Sequence, residues 1–163
     1  MENSKSNGFE IFFSPHPDKV KKFKIFLTFL IKIYPNLFTE DKKNIKPLAL
    51  NIRFQLKNDL KEKKLDVFSS FWKENNYSFL RWYTHNQYYY LAVLKNQNRY
   101  NLDGKATSVI TPEHKDYSCM LLKESCKQIL DKDPSQLRKS KFLKVACKII
   151  NQYENSKKEI RHD

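Results

Sequence analysis

FLRWYTHNQYYYLAVLKNQNRYNLDG, Phe79–Gly104, is the stretch on which the fold of this chain turns. Thr84, His85 and Asn86 break its helical pattern, since threonine and asparagine compete with helix by bonding nearby backbone and favour caps. A third helix therefore ends near Tyr83, and a short fourth one covers roughly Asn86–Leu94. Arg99-Tyr100-Asn101-Leu102 then alternates into Asp103-Gly104, and Ala106–Ile110 alternates again, the signature of a β-hairpin. The same stretch crowds Trp82, Tyr83, Tyr88, Tyr89, Tyr90 and Tyr100, with Tyr77 on its flank, around Arg81, Lys95 and Arg99. Rings with hydroxyl handles beside fixed cations suit a surface that meets phosphates and sugar or base faces together.

Upstream, Pro17-Asp18 is a helix start, with proline at a first helical position and an acid beside it. Phe23, Phe26, Leu27, Leu30 and Ile33 follow near helical spacing, with Lys21, Lys22, Lys24 and Lys32 between them, up to Tyr34-Pro35. Lys46-Pro47-Leu48 is expected to restart a helix that runs to about Lys61, with Leu48, Ile52, Leu56 and Leu60 on one face. Arg53, Lys57, Lys61 and Lys64 form a second, basic row, which is either a solvated face or a flank of the aromatic cluster. Ser69 or Ser70 is the expected cap of the third helix.

Downstream, Thr111-Pro112-Glu113 combines a capping hydroxyl, a proline and an acid, and starts a helix running to about Leu130. Asp131–Pro134 reads as a linker. Phe142, Val145, Ala146, Ile149, Ile150 and Tyr153 then mark a basic amphipathic helix. The expected organisation is an arm over 1–16, a domain over 17–130, and a linker with a basic helix over 131–163. The fold class is α+β, predominantly α-helical.

Charge narrows the partners. The chain of 163 residues carries a net charge of +13, split as +4, +4 and +5 over residues 1–46, 47–104 and 105–163. The excess is spread over a folded body, a field that attracts polyanions, nucleic acid first and an anionic membrane second. Three cysteines without disulfide-rich spacing point to a reducing compartment. The apolar run Ile25–Ile31 is far short of the roughly 20 residues a spanning helix needs. A cytoplasmic protein is the expectation.

Enzymatic readings are thin. Two glycines leave no phosphate-cradling loop or dinucleotide fingerprint. His16, His85, His114 and His162 are scattered, and Cys119 and Cys126, seven apart, read as buried small hydrophobes before they read as zinc ligands. No catalytic residue, metal, cofactor or small-molecule substrate is expected. Tyr88, Tyr89 and Tyr90 would point about 100° apart on a helix, so all three cannot be core. At least one should be free to stack on a base or donate to a phosphate. Two competing readings remain at this level. One is a membrane-surface or partner-binding module using Val20–Ile33 and Phe142–Tyr153. The other is a DNA-binding regulator that places Asn51–Lys61 in a groove.

Several short motifs occur in a telling order. They are Tyr34-Pro35-Asn36-Leu37-Phe38, Lys46-Pro47-Leu48, Leu80-Arg81-Trp82-Tyr83-Thr84, Tyr89, Arg99–Gly104 and Val109–His114. In this order, over residues 18–125, the chain resembles the ProQ/FinO family of bacterial RNA chaperones. The resemblance implies about five helices with small β-hairpins. It also implies recognition of structured RNA, typically a terminator-like hairpin with a single-stranded 3′ tail, on a concave face. Position by position, it places RNA contacts on Lys73, Arg81, Tyr89 and Arg99, with Thr84 beside them. Lys46, Arg53, Lys57, Tyr77 and Lys95 are further candidates. Arg81, Tyr89 and Arg99 are expected to form the pocket for the 3′ end. Two positions depart from the family pattern: Ala49 and Tyr77 stand where basic residues are usual. The implied partners are small or antisense RNAs and mRNA 3′ ends, in post-transcriptional regulation.

Overall fold

The computed structural model describes residues 15–160, so most of the arm expected over 1–16 and His162 lie outside the described residues. Helix α1 (Pro17–Ile33) starts at the expected proline, where the ring nitrogen of His16 accepts the Asp18 N–H. Its apolar stripe, Phe23, Phe26, Leu27 and Leu30, is buried. These side chains meet Trp72, Phe79 and Tyr83 of α3 (Asp66–Thr84) and Leu56 and Leu60 of α2 (Ile52–Glu62) in a ring-rich core. Phe26 stacks on Trp72 at 5.9 Å and meets Phe79 edge-on at 5.0 Å.

Two helix boundaries differ from the sequence reading. Residues 46–49 are not helical. Pro47 disfavours the helical conformation of the residue before it, and the strand-like backbone that results is used elsewhere: Tyr100 N–H donates to Pro47 O and Ala49 N–H to Tyr100 O. Helix α2 therefore begins only at Ile52. Helix α3 begins at Asp66, ahead of the two serines, and Ser69 N–H already bonds Leu65 O inside its first turn. An acid at the positive end of the helix dipole suits that start.

The break at residues 84–86 is real. Thr84 ends α3 with its hydroxyl donating to Leu80 O, and Asn86 caps α4 (Gln87–Lys95) by accepting the N–H groups of Tyr88 and Tyr89. Helix α4 is the hinge of the core. Tyr89 and Val93, one turn apart, enter the first core, whereas Tyr90 and Leu94 enter a second one. The second core is closed by Leu121, Leu122 and Cys126 of α5 (Pro112–Lys132) and by Leu143, Ala146 and Ile150 of α7 (Lys141–Ile160). A single turn of helix, α6 (Gln136–Lys139), joins α5 to α7. Most of the apolar face of both segments considered for a membrane surface is thus taken up inside the molecule, with Ile25 and Val145 left exposed, and no helix among the described residues is long and apolar enough to cross a membrane.

One antiparallel pair, β1 (Asn98–Tyr100) and β2 (Ala106–Val109), forms the expected hairpin, with Asn98 opposite Val109 and Tyr100 opposite Ala106. Asn101 builds its turn, its side-chain oxygen accepting the N–H groups of Asp103 and Lys105. Gly104 sits at φ +74° against the Tyr34–Phe38 turn, where a Cβ would come within 2.6 Å of Asn36 O. Only glycine fits there.

Candidate nucleic-acid interface

The candidate residues collect in three places. The first is the junction of β1 with the Pro47–Ala49 segment. Arg99, only 9% exposed, donates from Nη1 to Leu48 O at 3.1 Å and lies 3.2 Å from His114 Nδ1 through Nη2. The Tyr89 hydroxyl accepts the Leu48 N–H at 2.9 Å. Burial pushes the Tyr89 phenol up, and the Leu48 N–H and the Arg99 guanidinium pull against it. The two main-chain groups of Leu48 are thus held by two of the predicted site residues. His114 is positioned by the Thr111 cap, whose hydroxyl accepts its N–H.

This arrangement corrects one expectation. Tyr89 is 8% exposed and its hydroxyl is engaged, so it is no stacking platform; packing of α4 into the first core has turned it inward. The ring of the tyrosine triplet left partly exposed is Tyr88. Arg99 Nε is buried there without a hydrogen-bond partner.

The second place is the face shared by α2 and α3. The Arg53 guanidinium lies 4.3 Å from the ring centroid of Tyr77, which is 71% exposed, and 4.6 Å from that of Phe54. Lys57 is one turn beyond Arg53 and Lys73 one turn before Tyr77, both exposed. A guanidinium held over open rings keeps N–H groups free for phosphate. Trp72 fixes the spacing of the two helices by donating from Nε1 to Arg53 O at 3.2 Å. Phe54 escaped the sequence reading, although its place inside a basic helical row was the available signal.

The third place is the hairpin edge. Lys46 Nζ donates to Asn36 O at 2.6 Å and lies 5.4 Å from the centroid of Tyr100. Ala49, which departs from the family pattern, is buried with its N–H on Tyr100 O, so its side chain offers nothing to solvent. Away from the hairpin, Arg81 is exposed on the last turn of α3, one turn beyond Tyr77, and its charge acts on the Tyr90 hydroxyl, whose phenol burial pushes up. Thr84, with its hydroxyl on Leu80 O, is occupied in ending α3. Thr84 and Lys95 belong to none of the three places, and Lys95 lines a cavity between α4 and α7.

A sequence profile of the ProQ/FINO family matches residues 20–134. The chain belongs to the ProQ/FINO family. Among relatives, it is similar to the RNA chaperone ProQ of Idiomarina loihiensis, with 31% identity over 117 residues. That alignment covers 72% of this chain and 53% of the relative, so the chain spans about half the length of the curated protein it matches. The family match includes all three places described above and ends before α6 and α7.

Proposed function

We propose that this ProQ/FINO chain is an RNA-binding protein that acts as an RNA chaperone without catalysis. The observation that carries the reading is the Arg53–Tyr77–Phe54 stack on an exposed basic face, within a fold whose relative is an RNA chaperone. Lysines 57 and 73 and arginines 53 and 81 neutralise the backbone of a folded RNA, and the open rings of Tyr77 and Phe54 add stacking to unpaired bases at its edge. A-form stems hide their base edges in a deep groove, so recognition follows shape before sequence. The favoured substrate is a terminator-like stem-loop with a single-stranded 3′ tail, as in regulation by small or antisense RNAs.

The buried Tyr89–Arg99–His114 cluster supports the segment that carries Lys46, holding the Leu48 backbone in place. The test is a titration of the full chain with one such hairpin, with and without its 3′ uridine tail. Arg53→Ala, Tyr77→Ala and Arg81→Ala are compared with the wild type, against duplex DNA as competitor. Weaker hairpin binding in the variants, with unchanged melting, is expected. Equal affinity in all three, or a preference for the duplex DNA, would overturn the reading.

A further inference from the structure

Tyr88 is the member of the tyrosine triplet that neither core takes, and it faces a cavity of about 700 Å3 between α4, the start of α7 and residues 40–45. Phe142 of α7 stands beside it, with ring centroids 4.8 Å apart at 59°. Leu91 and Val145 complete the apolar floor. Four lysines border the cavity: Lys42, Lys43, Lys95 and Lys141, and Lys42 Nζ lies 4.6 Å from the Tyr88 centroid.

Glu40 and Asp41 also line this cavity, and their carboxylates offset part of the lysine charge while accepting hydrogen bonds from neutral groups. Glu40 accepts from the Thr28 hydroxyl at 3.3 Å, and Asp41 accepts the Lys43 N–H at 3.0 Å and the Asn44 amide at 2.8 Å. None of the four lysines has an ion-pair partner among the described residues. The result is a recess with two aromatic rings, four lysines and two carboxylates, which leaves a surplus of positive charge. Its volume lies in the roughly 300–1,000 Å3 range of cavities that enclose small ligands. Lys141, Phe142 and Val145 follow residue 134, where the family match ends.

We propose that this recess is a second nucleic-acid contact, which takes an unpaired nucleotide of the RNA bound by the α2–α3 face. The base lies against Tyr88 and Phe142, and its flanking phosphates meet Lys42, Lys95 and Lys141. Rings set inside a basic groove are how proteins hold single strands without reading their sequence. A lipid surface fits less well, because the rings are recessed among the lysines and form no ridge to enter a bilayer. This proposal rests on the RNA-binding reading above.

The experiment uses the full chain and two hairpins, one blunt and one with unpaired extensions carrying 4-thiouridine at each position in turn. Wild type, Tyr88→Ala and the double variant Lys42→Ala/Lys141→Ala are titrated, and photo-crosslinks are mapped by mass spectrometry. The expected result is that both variants reduce the preference for the extended hairpin by about tenfold, with crosslinks at Tyr88 or Phe142. The double variant changes only solvated side chains, so it keeps the test valid if loss of the Tyr88 ring loosens α7. If the wild type binds neither hairpin, this contact and the RNA reading fall together. If it binds both, while the variants keep the full preference and crosslinks map elsewhere, only the second contact is overturned. Variants that lose binding to phosphatidylserine vesicles but not to RNA would likewise overturn it.

Discussion

Leu48 shows how much one backbone position can depend on side chains far away in sequence. Its N–H goes to the Tyr89 hydroxyl and its carbonyl to Arg99. Both partners belong to the candidate site, so their replacement mixes structure with binding. Tyr89→Phe keeps the ring and removes the acceptor, leaving a buried N–H unpaired. The expected cost is about 1–3 kcal/mol in urea unfolding; an unchanged midpoint would show that the hydroxyl holds nothing. Arg99→Ala would strip two bonds from a buried cluster and is expected to lower stability too, so the loss of RNA binding in that variant would prove little about contact. Arg53, Tyr77 and Arg81 are exposed or half-exposed, and their replacement reports on binding more directly.

At the scale of elements, α7 changes meaning once its packing is known. Read alone, the segment after Pro134 is a basic amphipathic helix that could add affinity from outside a domain. In the structure Leu143, Ala146 and Ile150 cover Tyr90, Leu94, Leu122 and Cys126, and Lys157 and Tyr153 both bond Asp116 of α5. Removing residues 132–163 would expose that core. Burying one Leu or Ile side chain is worth about 1.5–3 kcal/mol, so the truncated form is expected to melt well below the full chain. Scanning calorimetry decides this, and equal melting temperatures would show that α7 is an appendage. Any fall in strand annealing by the truncated form has to be weighed against that loss. Burial also pushes the thiol of Cys126 up to about 11, which fits its place as a small apolar filler.

For the molecule as a whole, the charge of +13 is what a distant RNA meets first. Screening by salt acts on such long-range attraction and much less on buried contacts. Hairpin binding by the wild type is therefore expected to weaken steeply and linearly on a log–log plot against salt. Replacing Lys57 or Lys73 by alanine should reduce that slope by about 1 each if each meets one phosphate. A slope that does not change in either variant would remove the α2–α3 face from the interface. Tyr77→Ala, which changes no charge, is expected to lower affinity with little change in slope.

The signals legible in the residues alone were local ones. Pro17 and Thr111-Pro112 set helix starts, Asn86 sets the break before α4, and Asp103-Gly104 sets the hairpin turn, because each acts through its own backbone or that of its neighbours. The family was legible for the same reason, from short motifs in order. Pro47 misled because it starts helices and extended segments alike; the choice was made by Tyr100, 53 positions away, which offered the backbone partners. Only tertiary structure could divide Tyr88, Tyr89 and Tyr90, which are chemically identical. Two cores and a lysine-lined recess took one each, since the faces of a helix are assigned by what packs against them.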